Sequence, residues 1–205
     1  MEITDFKISD LKNGKIKNAT KSLLSDNWYR LYKYIFEYQK EDNSWEKQER
    51  EVYDCGNAAA ILLYNVEKNT IILTRQFRMP TFQNENETGM LIEVCAGLLD
   101  GDLPEDCIKK EALEETGYLL NNVKPVFESY MVPGTVMQKV YFFIGSYDET
   151  MKVSSGGGAE HETENIEVLE YAFDHAFQMI ANGEIKDAKT IMLLQYAKIN
   201  ELFKS

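Results

Sequence analysis

A chain of 205 residues, 44% hydrophobic and 12% aromatic, is long enough to bury a core, as one domain with an addition or as two small ones. Its net charge of −12 argues against a nucleic-acid backbone as the main partner, and no apolar run reaches the length of a membrane span. The opening Met1-Glu-Ile-Thr-Asp-Phe-Lys7 lacks the layout of a signal peptide. Cys55, Cys95 and Cys107 are odd in number, form no C-x-x-C and read as reduced thiols, so a cytoplasmic location is expected.

The first 55 residues differ from the rest. Over residues 28–38, Trp28, Arg30, Tyr32, Tyr34, Phe36 and Tyr38 fall on one face, with Tyr29, Leu31, Lys33, Ile35 and Glu37 on the other. A period of two with this many aromatics is a strand. Residues 41–44 make a turn and residues 45–53 return, so 1–55 is expected to hold a small N-terminal antiparallel β domain. Its aromatic face needs cover, either from the chain's own catalytic domain or from a second subunit.

Residues 56–205 read as a mixed sheet covered by helices. Strands are expected at 58–64 and 70–78, joined near Glu67, and at 89–95. A helix opens near Pro104 and stops at Gly117. Two more strands follow at 124–131 and 137–147, then a polar loop over 151–165 and a short strand at 166–171. The next helix carries Phe173, Phe177 and Ile180 on one stripe, and the last carries Met192, Tyr196, Ile199 and Phe203.

The helix before Gly117 carries the chemistry. Glu111, Glu114 and Glu115 stand at i, i+3 and i+4, which in an α-helix is one face. Three like charges so close repel unless a cation joins them, and oxygen-only ligands suit Mg²⁺ or Mn²⁺. Alone, E-x-x-E-E is also the pattern of a solvated helix face. Here an apolar run, Ala96-Gly97, an Asp100-Gly-Asp102 loop and Pro104 precede it, and Gly117 follows.

This frame resembles the Nudix box of the Nudix hydrolases, with Lys110-Glu-Ala-Leu-Glu-Glu-Thr-Gly117-Tyr118 on its second half. Three departures stand out. Lys110 replaces an arginine, keeping the charge and losing the planar fork. Ala112 is small, and the spacing from Gly97 is one residue short, so the first box glutamate falls on Asp102 or Leu103.

The resemblance implies a Nudix α/β/α sandwich in which Glu111, Glu114, Glu115 and the Ala96 carbonyl hold the metal. The loop following Ser154-Ser-Gly-Gly-Gly158 lacks the lysine of a P-loop and reads as a mobile lid bearing Glu160, Glu162 and Glu164. In similar enzymes such a loop glutamate activates water or binds metal. Glu164 is the better positional match and Glu162 the second, with Glu115 as another candidate base.

Substrate contacts implied by the same resemblance are Gly97, Arg78, Lys189 and Gln138, with Trp28, Arg50 and Glu51 from the N-terminal region. Arg75 should point away from Arg78. Blocks including Val52-Tyr-Asp54, Cys95-Ala-Gly-Leu-Leu-Asp100 and Gly183-Glu-Ile-Lys-Asp187 look most like the GDP-mannose pyrophosphatase branch. Pro133 also matches ADP-ribose pyrophosphatases. Gln138 stands where the GDP-mannose branch is associated with an acidic contact.

Three functions therefore stay open: a GDP-mannose pyrophosphatase yielding GMP and mannose 1-phosphate, an ADP-ribose pyrophosphatase, or a nucleotide-sensing module that no longer cleaves. The resemblance implies a homodimer through the N-terminal region.

Overall fold

The computed structural model describes residues 6–7, 14–158 and 165–203. The chain separates into two compact units. One comprises residues 1–57 with 130–139, the other 58–129 with 140–205.

The first unit is an antiparallel sheet of β1 (Phe6–Lys7), β2 (Ile16–Asp26), β3 (Arg30–Gln39) and β4 (Trp45–Asp54), in that order. The hairpin β3–β4 is the expected one, with Tyr34 opposite Arg50 and Tyr32 opposite Val52. Strand β2 was not expected from the sequence. Its register with β3 shifts between Lys17 and Thr20 and again between Leu23 and Ser25, and Asn18 has φ 52°. Such bulges break the alternation by which a strand is recognised. Lysines of β2 cover part of the aromatic face: Lys21 Nζ lies 3.5 Å from the Tyr32 ring centroid and Lys17 Nζ lies 3.9 Å from that of Trp45. Residues 130–139 join this unit through Tyr53, whose N–H donates to Thr135 O and whose carbonyl accepts from the Met137 N–H, both at 2.8 Å.

The second unit is built on a seven-stranded mixed sheet. Its path runs β11 (Glu167–Ala172), β6 (Thr70–Phe77), β5 (Ala58–Asn65), β10 (Lys139–Ser146) and β9 (Lys124–Tyr130). Strands β5 and β10 are parallel, while β6 is antiparallel to both β5 and β11. The apolar run expected as one strand at 89–95 divides into two. Strand β7 (Met90–Glu93) pairs with β6, and β8 (Cys95–Leu98) pairs with β5. The switch falls at Val94, whose N–H leaves the ladder and donates to Thr190 Oγ1 at 2.8 Å.

Helices cover both faces. Ala59, Ile61 and Leu63 of β5 pack with Cys107, Ile108 and Ala112, on or next to α2 (Pro104–Glu111). Ala60 lies beside Phe142 on the opposite side of the pleat, where Phe127 stacks between Phe142 and Tyr196 of α4 (Ala188–Ile199). The short α1 (Met79–Phe82) follows β6, and α3 (Phe173–Ala181) follows β11. The second unit is the expected α/β/α sandwich, and the first is a small antiparallel sheet.

The helix before Gly117 differs from a continuous α-helix. After Glu111 it widens into a π-turn over Ala112–Thr116, then ends at Gly117 in the left-handed conformation with φ 79°. The stop is the expected one; the wider turn alters which carboxylates face together.

Candidate active site

All the groups below belong to the second unit unless stated. Helix α2 begins with Pro104 at its first turn, carries Glu105 and Asp106 there and Lys109 and Lys110 in its last turn, an arrangement matched to the helix dipole. It presents Glu111 to β8. A Cβ built on Gly97 would lie 2.1 Å from Glu111 Cδ and 2.2 Å from its Oε1, so only glycine lets the carboxylate rest against this backbone. Ala96 is the preceding residue of the same strand.

Glu115 is 2% exposed, and its carboxylate acts on the Cys95 thiol. Burial, then Glu115 and Glu111, push that thiol well above its ordinary range. Both carboxylates thus lie on the β8 side of the helix. Glu114 is more exposed and pairs with Lys110 at 3.8 Å. Among the described residues no three carboxylate, imidazole or thiol side chains converge into a finished cation cage. The three carboxylates do not share one continuous α-helical face, since the helix widens into a π-turn after Glu111.

Arg78 follows β6, and its Nε donates to Glu93 Oε2 at 2.7 Å. Burial, which alone would lower its pKa, is outweighed by Glu93, Glu115 and Asp187, which raise it. Glu93 is 3% exposed, and its Oε1 accepts from Lys189 Nζ at 3.2 Å. Lys189 also donates to Asp187 Oδ1 at 2.7 Å, while Asp187 Oδ2 caps α4 by accepting from the Thr190 N–H and hydroxyl. Arg75 turns the other way and bonds Glu167 of β11 through Nε at 2.8 Å, as its position on β6 requires. Cys107 donates to Leu98 O, and its thiol is pushed up to about 12, first by burial and then by Glu111 and Asp102. It is a packing residue.

The Gly156–158 stretch is used for close approach. The Gly157 and Gly158 N–H groups donate to the carbonyls of Glu115 (2.9 Å) and Glu114 (3.1 Å), and the Ile166 N–H returns to Gly157 O at 3.2 Å. A Cβ on Gly156 would lie 2.4 Å from Glu115 O. The Gly156–158 stretch is therefore fastened to the end of the box helix, and Ile166 is tied to that stretch. Glu160, Glu162 and Glu164 lie outside the described residues. In the first unit, Trp28 and Glu51 are exposed, Arg50 is held by Glu49 O and Gln48 Oε1, and Gln138 is half-buried just before β10.

The donors fit a hard divalent cation. They are carboxylate and carbonyl oxygens, with the Glu111 carboxylate seated in a cradle that a single methyl would fill. Glu93, Glu111, Glu114, Glu115 and Asp187 also outnumber Arg78 and Lys189, so an anionic substrate would be repelled without added positive charge.

The NUDIX domain matches residues 56–194. The chain belongs to the Nudix hydrolase family. Nudix hydrolases generally act with divalent cations. Residues 15–53 match the GDP-mannose pyrophosphatase NudK N-terminal domain. The GDP-mannose pyrophosphatase of Pectobacterium atrosepticum is 54% identical over 191 residues, 93% of this chain and 98% of that one. That of Yersinia enterocolitica is 52% identical over 190 residues, with the same coverage. A crystal structure of an ADP compounds hydrolase shares the fold, with TM-score 0.67 at 15% identity over 90% of this chain and 94% of that one.

Glu93, Asp187 and Thr190 were missed in the sequence. Asp187-x-x-Thr190 is a legible helix cap, and Glu93 is a lone charge in the apolar run Leu91-Ile-Glu-Val94.

Proposed function

We propose that this Nudix hydrolase cleaves the diphosphate bridge of GDP-mannose, giving GMP and mannose 1-phosphate, with Mg²⁺ as its cation. The observation that carries the substrate is the similarity over nearly the full length to GDP-mannose pyrophosphatases, including the separate match of the N-terminal region. The geometry of the second unit supports the chemistry.

A divalent cation bound at the box supplies charge neutralisation on a diphosphate and Lewis acidity toward water. Glu111 and Glu115, with Glu114 and the Ala96 carbonyl, would hold it. Arg78 keeps its Nε on Glu93 and offers its terminal N–H groups to phosphate oxygens, while Lys189 adds a second cation nearby. A carboxylate oxygen of Glu164, Glu162 or Glu115 takes the proton of the attacking water. The fastening of the Gly156–158 stretch supports the two loop candidates, because it starts their segment beside the box.

Trp28, Arg50, Glu51 and Gln138 are proposed to contact the nucleotide sugar, with a homodimer formed through the N-terminal unit. Light scattering at two concentrations tests the dimer. ADP-ribose is the second substrate reading, on the strength of Gln138. A panel of GDP-mannose, ADP-ribose and ADP-glucose, with Mg²⁺ and with chelator, separates the two. Preference for ADP-ribose keeps the chemistry and overturns the sugar.

A further inference from the structure

Among the described residues Glu93 is the most deeply buried charge outside the box helix, and its two oxygens hold different cations. Oε2 accepts from Arg78 Nε at 2.7 Å and Oε1 accepts from Lys189 Nζ at 3.2 Å. Its carbonyl also accepts from the buried Thr74 hydroxyl at 3.3 Å. The adjoining Val94 N–H is tied to Thr190, and Thr190 to Asp187, which grips Lys189 from the other side at 2.7 Å. Arg78 just after β6, Glu93 on β7 and Lys189 on α4 are thus joined by one carboxylate at the point where the strand leaves β6 for β5. A buried ion network of this kind is weak evidence for stability. It fixes a spacing.

We propose that Glu93 is a positioning residue that sets the separation and aim of Arg78 and Lys189, so that the pair works as one clamp on the two phosphates of the substrate. The inference rests on the reading of the site as a diphosphate hydrolase. The bond to Glu93 is made at Nε on a side chain that is 39% exposed, so the terminal nitrogens of the guanidinium are not spent on it, and the bridging carboxylate keeps two like charges together that would otherwise separate. Asp187 is the counterweight on Lys189.

Glu93→Gln tests this. The amide has one accepting oxygen, so its nitrogen must face one of the two cations donor to donor, and the clamp loses its spacing. A misplacement of about 1 Å in positioning groups costs up to roughly 100-fold, so kcat/KM for GDP-mannose should fall by about 10- to 100-fold. The Mg²⁺ concentration giving half-maximal rate should stay within roughly threefold, because Glu93 is not among the proposed metal donors.

The deciding readout is a double-mutant cycle with Arg78→Gln. If Glu93 acts through Arg78 and Lys189, the double variant loses less than the product of the two single losses; fully additive losses overturn the proposal. A Glu93→Gln enzyme as active as wild type overturns it as well. Should that variant fail to fold, Arg78→Lys keeps the charge and removes the Nε anchor. It should lose at least roughly tenfold in kcat/KM, and activity within about threefold of wild type would refute positioning. Calorimetric binding of inorganic pyrophosphate with Mg²⁺ separates the two readings. A wild-type protein that binds pyrophosphate more tightly than Glu93→Gln, yet cleaves no nucleotide sugar, fails as a hydrolase while the clamp stands.

Discussion

Gly97→Ala removes one hydrogen and adds one methyl, and the structure says where that methyl goes. It would lie 2.1 Å from Cδ of Glu111 and 2.2 Å from Oε1, against an ordinary contact beginning near 3.4 Å. Backbone is not the obstacle, because the nearest atoms all belong to the Glu111 side chain and Gly97 has no left-handed φ. Glu111 yields, and its carboxylate must retreat by roughly 1 Å, a displacement that costs on the order of 10²-fold in rate for a positioned catalytic group. That factor corresponds to about 2.7 kcal/mol of lost transition-state stabilisation. Stability should move little: a strand alanine gains about 0.5–1 kcal/mol over glycine, set against a comparable packing strain. The assay is kcat/KM for GDP-mannose at saturating Mg²⁺ beside a thermal melt. A Gly97→Ala enzyme within threefold of wild-type activity would refute the seating of Glu111, and a collapsed melt would show that the strain went into the fold.

Gly117→Ala behaves in the opposite way. Its Cβ would meet the Ser154 carbonyl at 2.1 Å, and φ is 79°, so stability should fall by about 2–4 kcal/mol. Urea titration reads this, and an unchanged midpoint would contradict it. Thiol chemistry offers a third test. All three thiols have raised pKa values, but Cys95 and Cys107 are buried whereas Cys55 is half-exposed, so a native thiol titration should find Cys55 alone reactive until denaturant is added. Fast native modification of Cys95 or Cys107 would contradict the packing described.

The Lys189 amine supplies a pH test. Burial would lower its pKa, but Glu93 and Asp187 outweigh burial and raise it above 10.5. A raised folded pKa gives stability that is fully present below the unfolded value and lost as pH rises through the folded one. The stability difference between wild type and Lys189→Met should therefore hold constant from roughly pH 7 to 9 and shrink above about pH 10.5. A difference that shrinks below pH 9 would show the lysine to be differently placed.

Much of this was legible in the sequence, and the exceptions have physical causes. The aromatic alternation of β3 and the Pro104-to-Gly117 frame of the box are local patterns, and they are where the sequence put them. Strand β2 was hidden because two register shifts destroy its period. The strand at 89–95 divided because Val94 bonds a threonine 96 residues away, which no local window reveals. The π-turn is likewise invisible in one-dimensional spacing, so the three glutamates do not lie on one continuous α-helical face. Arg78 and Lys189 were found as cations, but the carboxylate bridging them was not. Glu93 is meaningful only once β7 and the first turn of α4 lie side by side. The three glycines of the polar loop read as flexibility, and in the structure they serve close approach to the carbonyls of Glu114 and Glu115.

The most direct test of the central assignment is product analysis after incubation with GDP-mannose, with Mg²⁺ and in parallel with chelator. The account predicts equal amounts of GMP and mannose 1-phosphate that appear only with the cation, faster than products from ADP-ribose. Release of GDP and free mannose, or cleavage that proceeds undiminished in chelator, would contradict it.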